Sequence, residues 1–201
     1  MRVGMFGGAF DPPHNAHVAL AAAALDQLAL DVLHVVPTGH AWHKSRTLSP
    51  AMDRLAMARL AFAGLPRVVV DDRETLRDGP TYTLDTLKAL QAENPQATLY
   101  LFMGADQFTA FRQWHHWEDI LRIAIICIAD RGESALASSQ LPADFAPGGI
   151  WQGRIAFLTL PLMDLSATRI RHTAASGGET GALVPEAVAR YISQHQLYRI
   201  A

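Results

Sequence analysis

A single cysteine in 201 residues, Cys127, leaves no partner for a disulfide and no thiolate set for a metal, which suits a reducing cytoplasm. The residue falls in an apolar run at 123–129 and reads as a small buried hydrophobe. Blocks of like charge are also missing. With 17 basic and 19 acidic residues the formal net charge is −2, and no basic stripe marks a face for nucleic acid or an anionic membrane. No apolar run approaches the roughly 18 residues that suggest a membrane span; the segment at 19–30 is interrupted by Asp26 and Gln27. The first residues enter an apolar strand pattern rather than a secretory leader. Two familiar phosphate loops are absent as well, because Gly4, Gly7 and Gly8 fit neither G-x-G-x-x-G nor G-x-x-x-x-G-K-[ST]. These exclusions point to a soluble protein whose partners are small molecules.

What is present is hydrophobic bulk in a regular alternation. Half of the positions are hydrophobic, enough for one substantial core, so the expectation is a single domain over 1–201. Strand patterns at 3–6, 32–36, 68–70, 99–103, 124–128 and 155–160 alternate with helical patterns at 18–30, 51–62 and 83–92 and a broken one at 106–121. Continuous rather than alternating apolar strands predict an α/β fold, a doubly wound parallel sheet with helices on both faces. Ser49-Pro50 reads as N-cap and first-turn proline of the second helix, and Asn94-Pro95 as the stop of the third. The Ser-, Pro-, Gly- and Ala-rich stretch at 130–153 reads as a long surface loop. Ligands of open α/β sheets bind beyond the carboxyl ends of the strands. Gly7, Thr38, Gly104 and Asp130 stand there and can share one crevice.

The chemistry-bearing residues cluster at those strand ends. Gly7-Gly8-Ala9-Phe10-Asp11-Pro12-Pro13-His14-Asn15-Ala16-His17 follows the first strand and opens a helix. Glycines admit a polyphosphate close to the backbone, and the N–H groups and positive dipole end of the helix favour anions. His14 and His17, three apart, share one side of the first turn. Alternatives stay open at this point: both histidines solvated at a helix start, or a zinc site with Asp11, His40 or His43. The loop at 36–46 offers Lys44 as a point charge for phosphate oxygens. Gly104-Ala105-Asp106 sets a carboxylate on a first helical turn, either a cap or an acceptor for ribose hydroxyls. In Phe111-Arg112-Gln113-Trp114-His115-His116-Trp117, Trp114 is the stacking candidate and Trp117 reads as core. Finally, Ser166 caps a helix whose Thr168 and Arg171 would complete a second anion site.

Taken in order, six motifs resemble the bacterial nicotinate-nucleotide adenylyltransferases. They are G-G-x-F-D-P-x-H at 7–14, His43-Lys44, Thr81-Tyr82-Thr83, Gly104-x-Asp106, Phe111-x-x-Trp114 and L-S-A-T-x-I-R at 165–171. The resemblance runs essentially from Gly7 to Tyr198, with Leu183-x-Pro185, Tyr191-Ile192 and Leu197-Tyr198 closing it. Two departures stand out: Ala16 replaces the glycine of H-x-G-H, and Ala41-Trp42 replaces Pro-Pro before His43-Lys44. The resemblance implies a Rossmann-like sheet with a small C-terminal helical part, and a reaction joining ATP to nicotinate mononucleotide with release of pyrophosphate. It further implies Mg²⁺ travelling with ATP, no resident metal site and no covalent intermediate; a homo-oligomer is left open. His14, His17, Lys44 and Arg171 would be catalytic. Gly7, Gly8, Phe10, Gly104 and Asp106 would join them at ATP, with Ser166, Thr168 and Arg171 at the β/γ end. Lys44, Thr83, Asp106, Trp114 and His115 would hold the mononucleotide, Trp114 by stacking on the ring. Related readings are an adenylyltransferase for nicotinamide mononucleotide or phosphopantetheine, and a non-catalytic nucleotide-binding regulatory module.

Overall fold

The computed structural model describes residues 1–39, 48–130, 141–161 and 163–199. Six strands follow the apolar runs: β1 (Arg2–Gly8), β2 (Val32–Pro37), β3 (Val68–Val70), β4 (Thr98–Gly104), β5 (Ala124–Asp130) and β6 (Ile155–Thr159). They form one sheet of order β3-β2-β1-β4-β5-β6. The pairs β1·β4, β4·β5 and β5·β6 are parallel, with Phe6 opposite Phe102 and Met103 opposite Ile128. Strand order reverses between β1 and β4, the feature that makes a sheet doubly wound and marks where its ligands bind. The expected α/β class is therefore observed.

Helices α1 (Asn15–Gln27), α2 (Ala51–Phe62), α3 (Thr83–Glu93), α4 (Ala105–Thr109), α5 (Trp117–Ile123), α6 (Ala167–Ala175) and α7 (Glu186–Gln194) fill the connections. The first helix begins three residues earlier than periodicity predicts, because the His14 carbonyl already accepts from the N–H groups of His17 and Val18 at 2.8 and 3.3 Å. The broken pattern at 106–121 resolves into α4, a 3-10 turn (Phe111–Gln113) and α5. Ser49 is not the cap of α2: Pro50 takes that position without a side-chain bond, and the Ser49 N–H instead donates to Asp11 Oδ2 at 3.2 Å. Asn94 ends α3 as expected, its N–H returning to Leu90 and Gln91 carbonyls.

Two compact units divide the chain. One comprises Met1–Gly7, Ala23–His34 and Tyr82–Leu162; the other comprises Gly8–Ala22, Val35–Thr81 and Met163–Ala201. In the first unit Leu99, Leu101, Phe102, Ile126, Cys127 and Ile128 form a strand core that excludes water. Burial pushes the Cys127 thiol up to about 12, so it stays a neutral, inert core group. Gly4 permits close packing there: a Cβ would meet Leu33, Leu30 and Phe102 at 2.7–2.9 Å. The edge strand β6 is covered at one point by the Gln27 amide, which donates to the Thr159 carbonyl at 2.8 Å and accepts from its N–H at 3.2 Å. The expected surface loop at 130–153 is only partly so, since Phe145 is buried against Phe108.

In the second unit α2 packs on α7, with Tyr191 donating to Asp53 at 2.8 Å. Gly39 lies so close to the backbone that a Cβ would stand 2.0 Å from the Glu74 carbonyl oxygen. Only a residue without a side chain fits that approach.

Candidate active site

The second unit carries the motif residues at 8–14 and 165–171. After β1 the chain leaves the sheet through Phe10, whose φ of 47° is unfavourable for a residue with a side chain. The buried Phe10 ring sets its edge against His17 at 5.2 Å and against Phe62 at 5.9 Å. The ring thereby seats the histidine. His14 and His17 stack at 3.7 Å with 20° between ring planes, so the expected shared side of the first turn is realised. The His14 N–H donates to His17 Nδ1 at 3.1 Å. That bond makes Nδ1 an acceptor and leaves the ring proton on Nε2, a donor suited to a phosphate oxygen.

A cavity of about 300 Å³ is lined by Ala9, Phe10, Asp11, His14, His17, Ala167, Thr168 and Arg171. Residues at the starts of α1 and α6 thus line one space; at α1 the Asn15 N–H is taken by the Leu183 carbonyl at 3.1 Å and that of His17 by the His14 carbonyl at 2.8 Å, so what that helix start offers is its positive dipole end. Arg171 is aimed by two bonds, to the Asp11 carbonyl at 2.8 Å and to Thr168 Oγ1 at 3.1 Å. Ser166 caps α6 as expected, accepting from the Arg169 N–H at 3.2 Å. Ser166→Ala is expected to cost about 1 kcal/mol, or roughly 2–4 °C in Tm for a chain of this size. Ser166→Asp keeps a cap but sets a carboxylate at the anion-binding end. Thermal melts with and without an ATP analogue check both: the Asp variant should melt like the parent alone and gain less from the analogue.

Sequence reasoning missed the side chains that hold this cavity. Arg54 is 2% exposed and donates to the carbonyls of Ser49 and Ala9 at 3.0 Å each and Gly39 at 3.5 Å. Those bonds compensate a buried guanidinium and tie the glycine loop to the strand end after β2. An arginine amid the apolar positions of α2 was the available signal. Tyr198 stands out in the sequence only as part of a closing motif, yet its hydroxyl donates to Asp11 Oδ1 at 2.7 Å. Lys44, His40 and His43 lie outside the described residues. Among the described residues no group of three His, Cys, Asp or Glu stands ready to hold a metal.

The first unit carries the remaining motifs. Gly104, rather than Asp106, occupies the cap position of α4; Asp106 keeps an exposed carboxylate on the first turn, so the capping reading of that residue falls away. Thr83 opens α3, and the preceding Tyr82 lays its ring on His115 at 4.3 Å. Trp114 ends the 3-10 turn half-buried, its ring against the buried Phe111 at 5.6 Å. Trp117 is not core as expected. It is only partly buried, set edge-on to Phe111 at 6.1 Å, and is covered not by an apolar side chain alone but by the Arg112 guanidinium at 5.2 Å, itself held by Asp144 at 2.6 Å.

A glycine loop, two histidines at a helix start and an arginine at a second helix start, carried on a doubly wound sheet, point to a nucleotidyltransferase. Comparison with known proteins agrees: the cytidylyltransferase-like family profile matches residues 5–173. A curated "probable nicotinate-nucleotide adenylyltransferase" of Albidiferax ferrireducens is 52% identical over 200 residues, covering 100% of this chain and 99% of its own. One of the same name from Pseudomonas syringae is 40% identical, covering 98% and 94%. The solved nicotinic acid mononucleotide adenylyltransferase of Plasmodium falciparum complexed with NaAD superposes with a TM-score of 0.78 at 20% identity, covering 98% and 97%. The chain belongs to the cytidylyltransferase-like family and, within it, to the nicotinate-nucleotide adenylyltransferases.

Proposed function

We infer that this protein joins ATP and nicotinate mononucleotide to give nicotinate adenine dinucleotide and pyrophosphate, a step of NAD biosynthesis. The observation that carries the reading is the cavity holding His14, His17, Thr168 and Arg171 together in a chain 52% identical to a named adenylyltransferase. The nucleophile is the mononucleotide phosphate, already largely ionised at neutral pH because its second pKa is about 6. No general base is needed. A phosphate oxygen forms a bond to the ATP α-phosphorus while the bond from that phosphorus to the bridging oxygen breaks, and pyrophosphate leaves with the electron pair.

Catalysis then rests on position and charge. Nε2–H of His17 stabilises the reacting phosphate, and His14 supports it from the stacked ring. Arg171, Thr168 and Ser166 hold the β/γ end, and Lys44 adds a phosphate contact by virtue of its charge. Gly7, Gly8 and Gly104 leave backbone room for ATP. Asp106 accepts from ribose hydroxyls, while Thr83, Trp114 and His115 hold the mononucleotide. Mg²⁺ would be carried on ATP's own oxygens, since the described side chains supply no acidic cluster for it; its contribution is charge neutralisation of the triphosphate.

The test is pyrophosphate release from ATP with nicotinate mononucleotide and with nicotinamide mononucleotide, side by side. Preference for the acid is expected. Equal or faster turnover of the amide overturns the specificity, and turnover of neither favours a binding module.

A further inference from the structure

Asp11 is 2% exposed, and a buried carboxylate requires donors. Donors include the Ser49 N–H at Oδ2, 3.2 Å away, and the Tyr198 hydroxyl at Oδ1, 2.7 Å away. Asp11's main-chain carbonyl in turn accepts from Arg171 at 2.8 Å, inside the cavity that both residues line. The last turn of the chain is bent to make this contact: Gln196 and Tyr198 adopt φ of 52° and 68°, conformations that side-chain-bearing residues avoid. The phenol is held as a neutral donor, since burial first and the Asp11 charge second push its ionisation upward. Tyr198 also lies 25 residues beyond the last position matched by the family profile, residue 173.

We propose that Tyr198 is a positioning residue for the ATP phosphates, acting from the C-terminal turn through Asp11 to set the aim of Arg171. Without the hydroxyl the Asp11 carboxylate loses a donor in a buried setting, its peptide shifts to find another, and the carbonyl that orients Arg171 shifts with it. The residue touches neither substrate nor reacting atom. The proposal rests on the functional reading above only in naming ATP as the anion held.

The test is a double-mutant cycle with Tyr198→Phe, Arg171→Ala and the pair. Two readouts are taken: affinity for an α,β-methylene ATP analogue with Mg²⁺ by calorimetry, and KM and kcat for both substrates. Tyr198→Phe should weaken the analogue and raise KM for ATP about tenfold. KM for nicotinate mononucleotide should move less than about twofold. In the Arg171→Ala background the same change should add almost nothing. Asp11→Asn, which keeps an acceptor for the phenol, should fall between the parent and Tyr198→Phe. Additive losses, or a lowered Tm with unchanged analogue affinity, overturn the proposal and leave the tail purely structural. If the parent binds the analogue but makes no dinucleotide, the functional reading fails while the cycle still decides the role of Tyr198; if the parent does not bind the analogue, both fail.

Discussion

His17→Ala is expected to lower kcat by at least about 10²-fold, or roughly 2.7 kcal/mol of transition-state stabilisation, with both KM values little changed. The reason lies in the ring's fixed tautomer. Because the His14 N–H occupies Nδ1 at 3.1 Å, the proton sits on Nε2, and a donor already oriented costs no reorganisation as charge develops on the α-phosphate. Alanine removes that donor without altering Arg171 or Thr168, to which the proposed function gives ground-state binding of the phosphates. The ring is also packed, stacked on His14 at 3.7 Å and edged by Phe10 at 5.2 Å, so some loss of Tm is expected beside the kinetic effect. Steady-state kinetics on a variant whose folding is checked by circular dichroism decide the matter. A kcat within about threefold of the parent would return His17 to a packing role.

Trp114→Ala should act on the other substrate. Loss of a stacked aromatic contact is worth about 1–3 kcal/mol, so KM for the mononucleotide should rise roughly 5- to 150-fold while ATP is scarcely affected. Half of the ring's environment is already known: it leans edge-on against the buried Phe111 at 5.6 Å, which holds the indole in one orientation. The half-exposed remainder is what a pyridine ring would cover. Titrating each substrate against the variant separates the outcomes. Equal weakening of both substrates, together with a large fall in Tm, would mean that Trp114 only packs on Phe111.

Local features were legible without coordinates because their causes are local. Apolar runs bounded by turns became strands, Ser166 became a cap through a bond spanning three residues, and the i, i+3 spacing of His14 and His17 put their rings together. The glycine loop opening a helix announced an anion site for the same reason: backbone freedom and helix-start N–H groups are properties of a few consecutive residues. Errors arose where a neighbour far away in sequence changed the outcome. Ser49 gave up its capping role to serve Asp11, and Trp117 stayed half-exposed under Arg112 and Asp144.

What tertiary structure alone decided is how the cavity is braced. Arg171 reaches Asp11 across 160 positions and Tyr198 reaches it across 187, while Arg54 finds its carbonyls on the two connections that follow β1 and β2. No periodicity or spacing encodes such contacts. They exist because a buried carboxylate and a buried guanidinium must each be satisfied by whatever donors and acceptors the fold brings near. Composition and motif determined the sheet, the glycine loop and the identity of the charged groups; the folded chain determined which of those groups hold the others in place, and which line the cavity.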